Sequence, residues 1–238
     1  MPGADTEQLP IVLCSGQLLT REYWTPLEAR NPDRHFIHAD NSRDDTIAAM
    51  ATRLLADAPP LFHLVAHAMG GFLAFEVMRR APERVASLSL LATLATADGP
   101  AQLARRQSYI DLVERGAFAQ IVEERLPMLM APDRRSGPIA DAARRMAADT
   151  GPDIFQRQQR AIIGRIDSRP RLAAITVPTL ILRGDADGIV IAGETAIIAD
   201  GIAGSDAREI ADAGHLLLLE QPEIVAGAIE AHLAAVER

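Results

Sequence analysis

Along the first third of the chain, short apolar runs bounded by turn-forming residues alternate with stretches of helical periodicity. Ile11–Cys14 follows Pro10 and stops at Ser15-Gly16, the pattern of a buried strand running into a loop. Residues 17–24 read as a loop or short helix, and 35–38 as a second strand closed by a polar cluster. Asp44 or Asp45 is placed to cap a helix whose apolar stripe is Ile47, Met50, Leu54 and Leu55. After Pro59-Pro60 come a strand over 61–66, a turn of small residues and a helix over 70–80. Arg79 and Arg80 suit the negative end of that helix, just before Pro82. Val85–Leu91 is the next buried strand. This alternation predicts an α/β protein, a mostly parallel sheet with helices on both faces.

The rhythm breaks at residues 97–174, which hold no strand pattern but four helical ones: 101–115, 118–126, 139–149 and 153–163. A block of helices between two strands reads as a lid inserted over the sheet. The expected organisation is therefore a core of residues 1–96 and 175–238 with a helical lid over 97–174. The sheet resumes at 177–183, followed by a helix at 192–200, a short strand at 207–210 and a closing helix over Pro222–Val236. The proline near its first turn removes only an N–H that has no partner there.

Composition narrows the chemistry. The chain has 238 residues, 48% of them hydrophobic, enough for one sizeable domain with a buried core. A net charge of −8 argues against a nucleic-acid surface or an anionic-membrane binder. All 24 basic residues are arginine, so neither Schiff-base chemistry nor a P-loop lysine is available. Cys14 stands alone, which excludes an intrachain disulfide. The acidic N-terminus lacks a signal-peptide core, and no apolar run reaches the roughly 18–20 residues of a membrane span. A cytoplasmic monomer or homodimer with no cofactor and no metal is the expectation.

Three signals fall where strands end. Ala66-His67-Ala68-Met69-Gly70-Gly71 has the strand–turn–helix setting of a nucleophile elbow, but residue 68 is alanine. Gly184-Asp185-Ala186-Asp187 offers a carboxylate able to orient a histidine. Gly214-His215 supplies an imidazole whose ordinary pKa suits acid–base work near neutrality.

In that order, these motifs resemble the α/β-hydrolase superfamily over nearly the full length of the chain. AHAMGG is similar to the elbow GHSMGG, SGQ to the oxyanion loop, GDAD to the acid loop and AGH to the histidine loop. The resemblance implies that Ala68 occupies the nucleophile position, where serine is expected, with Asp187 as triad acid and His215 as base. Asp185 is the rival acid. The implied oxyanion donors are the backbone N–H groups of Gln17 and Met69. Ser15 stands where the family often has histidine.

Two readings of Ala68 follow. One is an engineered replacement of an elbow serine that holds substrate without turning it over. The other is a natural chain that binds ligands, or that works through the His–Asp pair alone. Retention of Asp187, His215 and Gly16-Gln17 in register favours the first. The expected activity of the serine form is hydrolysis of a small, largely apolar carboxylic ester, carbamate, amide or lactone through an acyl-enzyme. Carbon–carbon bond hydrolysis or lysis on the same fold is the alternative within catalysis. Leu18, Trp24, Tyr109, Phe118, Met128, Phe155 and Ile189 are the expected substrate contacts. The arginine pairs 105–106, 134–135 and 144–145 read as solvated helix faces, with an arginine gripping a substrate carboxylate as the alternative. His67 reads as a bulky residue packed by the helix that follows it.

Overall fold

The computed structural model describes residues 8–238, so most of the N-terminal stretch read above for a signal sequence lies outside it. Strands β1 (Ile11–Cys14), β2 (Phe36–His38), β3 (Phe62–His67), β4 (Val85–Leu91), β5 (Thr179–Gly184) and β6 (Asp206–Ile210) form a sheet in the order β2-β1-β3-β4-β5-β6. Every neighbouring pair is parallel. The chain moves outward from β1 to β2 and then crosses back to β3. The carboxyl ends of β1 and β3 therefore flank a topological switch point, where open α/β sheets bind ligands. Register puts Cys14 opposite Ala66, so the loop after β1 emerges beside the turn after β3.

Helices α1 (Thr25–Arg30), α2 (Ile47–Asp57), α3 (Met69–Arg80), α4 (Pro100–Glu114), α5 (Phe118–Leu129), α6 (Pro138–Ile163), α7 (Ala192–Gly201), α8 (Leu217–Glu220) and α9 (Pro222–Val236) complete the described chain. Strand side chains alternate between two cores. Ile11, Leu13, Val65, Leu180 and Leu182 pack with Leu27, Leu217, Val225 and Ile229 of α1, α8 and α9. Val12, Cys14, Leu64, Ala66 and Ile181 pack with Met50, Leu54, Leu73, Val77 and Ile198 of α2, α3 and α7. Both faces of the central sheet are covered, which is why β1, β3, β4 and β5 read as largely apolar runs.

Between β4 and β5 the chain is helical, as the sequence predicts. The patterns at 139–149 and 153–163 join into α6, which bends at Gly151 with φ 70°. These helices share a small core of Tyr109, Ile121, Ala147 and Phe155, which Leu18 enters from the loop after β1.

Several boundaries differ from the sequence reading. Thr46, not Asp44 or Asp45, caps α2 by accepting the Ala49 N–H at 3.1 Å, while Asp44 pairs with Arg53 at 2.8 Å. Helix α5 runs through Pro127 to Leu129, past the end at residue 126 that the sequence pattern predicts, with one i→i−4 hydrogen bond forgone at the proline. The short helices α1 and α8 carry no periodicity long enough to be read. No helix among the described residues is long and apolar enough to cross a membrane.

Candidate active site

The turn between β3 and α3 has the strained backbone of an elbow. Ala68 sits at φ 50°, ψ −112°, outside the regions open to ordinary side chains. Such a conformation costs on the order of 1–3 kcal/mol and persists only where neighbours fix it. Here its N–H donates to the Leu91 carbonyl at 2.9 Å. Its own carbonyl accepts from Gly71 N–H at 2.9 Å and from the Thr93 hydroxyl at 2.7 Å. Helix α3 leaves the turn pressed against β1: a Cβ on Gly70 would lie 2.1 Å from the Cys14 carbonyl oxygen. Residues 66, 67 and 69 are buried, whereas Ala68 is partly open, onto a cavity.

His215, in the loop after β6, meets Asp187, in the loop after β5. Its Nδ1 lies 2.9 Å from Asp187 Oδ2, and both side chains are buried. The other carboxylate oxygen of Asp187 accepts N–H groups from Ile189 at 2.8 Å and Val190 at 2.9 Å. Burial works to raise the pKa of Asp187. The charge and hydrogen bond of His215, with the two backbone donors, outweigh that and hold it below the usual carboxylate range. A carboxylate accepts only, so the hydrogen sits on Nδ1 and Nε2 keeps its lone pair, the form a general base needs. Asp185 is exposed and accepts the Ala213 N–H at 3.2 Å; it does not reach His215.

His67 has a different place from the one its sequence context predicts. Its ring packs against Tyr23 at 4.5 Å and His215 at 4.9 Å between centroids. Its Nε2 donates to the His215 carbonyl at 2.9 Å, which leaves Nδ1 buried with no partner among the described residues. Burial, reinforced by the charge of His215, pushes its pKa down to about 3. Gly16 fits under this ring; a Cβ there would meet Nδ1 at 2.6 Å.

The Gln17 and Met69 amides flank the same opening, and neither has an acceptor among the described residues. The β1 loop is built to present them. Ser15, in place of histidine, accepts the Trp24 indole N–H at 2.8 Å and fixes the first turn through its carbonyl, which takes Asn41 Nδ2 at 3.0 Å. The Gln17 side chain accepts from Gln159 at 3.3 Å, and Leu18 adopts φ 62°.

Ala68, Met69, Gln17 and His215 line a cavity of about 80 Å³, together with Leu18 and Ile189. The other expected contacts fall elsewhere. Trp24 is fully buried behind Ser15, and Tyr109, Phe118 and Phe155 pack among themselves in the helical block. Met128 packs its backbone on Gly188. Apolar periodicity cannot tell a helix's inner core from its cavity face. Arg106, read as solvated, is in the wall, paired with Asp98. Arg125 is there too and was not foreseen; it falls on the Ile121–Leu129 stripe, four residues from each, which is the signal that marks it. Among the described residues no three His, Cys, Asp or Glu side chains come together as a metal site.

The sequence profile of the alpha/beta hydrolase family matches residues 11–228. The chain belongs to that family. It is 27% identical over 241 residues to the RutD protein of Azorhizobium caulinodans, named as a carbamate hydrolase, covering 93% of this chain and 89% of that one. Among solved structures, a thermophilic esterase from Thermogutta terrifontis with malate bound superposes with a TM-score of 0.88 at 29% identity, over 97% of this chain and 91% of the other. The enol-lactonase from Burkholderia xenovorans LB400 has a TM-score of 0.85 at 20% identity, over 98% and 94%, a likeness of fold. Along the sequence, residue 68, Asp187 and His215 follow one another in the order in which alpha/beta hydrolases carry nucleophile, acid and base.

Proposed function

We propose that this is a serine-hydrolase site in which residue 68 is the nucleophile position, Asp187 the acid and His215 the base. The observation that carries the reading is the strained backbone at Ala68 held open onto the cavity that His215 lines, with His215 in turn held by Asp187 at 2.9 Å. With serine at position 68, the hydroxyl attacks an acyl carbonyl as His215 Nε2 takes its proton. Asp187 steadies the imidazolium, and the Gln17 and Met69 amides receive the oxyanion, each such donor being worth about 3–4 kcal/mol of barrier. His215 then protonates the leaving group, and water, activated by the same imidazole, releases the acid. With alanine at 68 there is no attacking atom, so binding persists and turnover is lost.

The substrate class follows from the cavity and the relatives. A volume of about 80 Å³ suits a small acyl group, since an apolar cavity of about 150 Å³ takes benzene. Carboxylic esters and carbamates are the first candidates, the latter brought in by the carbamate-hydrolase name of the RutD relative; amides and lactones use the same machinery. Helices α4–α6 act as a cap over residue 68, because Arg106, Val122, Leu126 and Ala147 form the wall away from the sheet. The test is Ala68→Ser against a panel of small aryl esters and carbamates. A burst of aryl alcohol followed by steady turnover is expected. Binding without a burst or turnover by the serine form sinks the hydrolase reading and favours a ligand-binding protein.

A further inference from the structure

The cavity wall is mainly apolar, with Leu18, Leu19, Phe72, Leu126 and Leu129, yet two arginines stand in it, Arg106 from α4 and Arg125 from α5. Their situations differ. Arg106 is held by the Asp98 carboxylate and by Gln159 Oε1 at 3.2 Å. That one carboxylate also serves Arg165 at 2.8 Å, so the negative charge in this corner is already shared between two guanidinium groups.

Arg125 has no carboxylate within salt-bridge distance among the described residues, and its Nε is buried without an acceptor. Its guanidinium lies over the rings of Tyr109 at 5.6 Å and Phe155 at 6.0 Å, which supply partial compensation. Tyr109, through its charge interaction and a side-chain hydrogen bond, favours the cation, while Arg106 and Arg105, both of like sign, oppose it. Burial, the larger influence, pushes its pKa down to about 10, so it is cationic at neutral pH. A half-buried cation with no carboxylate partner keeps part of its charge uncompensated, and an anionic ligand in the cavity would supply the missing partner.

We propose that Arg125, with Arg106 beside it, is an anion-recognising end of the acyl cavity, and that the substrates are small esters or carbamates carrying a carboxylate. The inference rests on the reading of this cavity as the acyl site. A guanidinium offers Nε–H and Nη–H side by side and grips a carboxylate through two parallel bonds, which fixes orientation as well as charge. Anchored there, the substrate has a fixed reach for its carbonyl, and neutral esters of the same length lack the anchor.

The experiment is isothermal titration of the chain as it stands, with Ala68, against monomethyl succinate and dimethyl succinate at pH 7.5. The half-ester anion is expected to bind tighter by on the order of tenfold or more. Arg125→Gln is expected to abolish that preference, bringing the half-ester to diester affinity ratio to about one. Arg125→Lys, which keeps the charge but not the fork, is expected to retain part of it. A solely structural arginine predicts instead that Arg125→Gln weakens both ligands alike or neither. Equal affinity of the unaltered chain for half-ester and diester overturns the proposal even if Arg125→Gln does not fold. The titration needs no turnover, so it separates the two readings. Half-ester preference with no turnover by Ala68→Ser removes the hydrolase alone. Turnover of dimethyl succinate by Ala68→Ser, with no half-ester preference, removes the anion site alone.

Discussion

His67 Nε2 donates to the backbone carbonyl of His215 at 2.9 Å, so the residue before the elbow holds the loop that carries the imidazole facing it. The bond ties the end of β3 to a loop 148 residues away in sequence. His67→Leu removes the donor and leaves the carbonyl buried without it. In an Ala68→Ser background we expect kcat to fall at least tenfold with KM changed less, because the bond positions His215 rather than the substrate. His67→Gln, which can still donate, is expected to recover part of the rate. Equal kcat in His67→Leu and the parent rules out the positioning role.

The same histidine gives acid sensitivity. Its folded pKa of about 3 lies below its ordinary 6.5. Between those values the unfolded chain takes up a proton that the folded chain refuses. The stability contribution is therefore complete above pH 6.5 and is lost as pH falls toward 3, amounting to about 2 kcal/mol by pH 5. His63 and His232, both also lowered by burial, act in the same direction. Urea midpoints from pH 7.5 to pH 4.5 are expected to fall in the parent and to fall less steeply in His67→Gln. Parallel slopes in the two proteins reject the assignment.

Asp187 and Asp185 are separated by the same logic of contacts. Asp187→Asn can present an N–H to His215 Nδ1 and so favours the wrong tautomer, which in a Ser-His-Asp site lowers kcat by about 10⁴. Asp185→Asn loses only an exposed contact to the Ala213 N–H. In the Ala68→Ser background we expect near-complete loss of ester turnover for the first and less than about threefold change for the second. Comparable losses in both variants contradict the assignment of the acid.

What was legible in the sequence was whatever depends on local pattern. The central strands are buried on both faces and so read as apolar runs, and the turns at their carboxyl ends carry the small or acidic residues that chemistry needs there. Asp44 and Asp45 are good caps by residue type, as Thr46 is, and only φ/ψ decides which residue stands at the helix start. Of the expected substrate contacts, only Leu18 and Ile189, both supplied by loops, line the cavity. Within the helical block the aromatic residues found one another rather than the cavity, leaving Arg125 on the lining face, and a helix with apolar residues on both its inner core and its cavity sides has no period that separates them.

Gly70 tests how closely the elbow is built. Its missing side chain lets α3 start against β1, and the atom a Cβ would meet, the Cys14 carbonyl oxygen at 2.1 Å, is backbone and cannot rotate away. Gly70→Ala is therefore expected to destabilise by roughly 2–4 kcal/mol, although alanine is the better helix former by about 1 kcal/mol. Chemical denaturation measures it directly. A neutral or stabilising result means that β1 and α3 can separate without loss.

Ala68→Gly reverses the sign and isolates the strain. At φ 50°, ψ −112° a Cβ is a liability, and glycine adopts this backbone freely. Relief of on the order of 1–3 kcal/mol of strain is opposed by roughly 0.5–1 kcal/mol from the greater freedom of glycine in the unfolded chain. The expected net gain is about 1 kcal/mol, with ligand affinity unchanged, because the Gln17 and Met69 amides stay where they are. Ala68→Ser keeps the Cβ and the strain, so its stability should match that of the alanine chain while reactivity alone returns. If Ala68→Gly is less stable than its parent, position 68 is not held under strain, and the case for an elbow preorganised around a nucleophile fails with it.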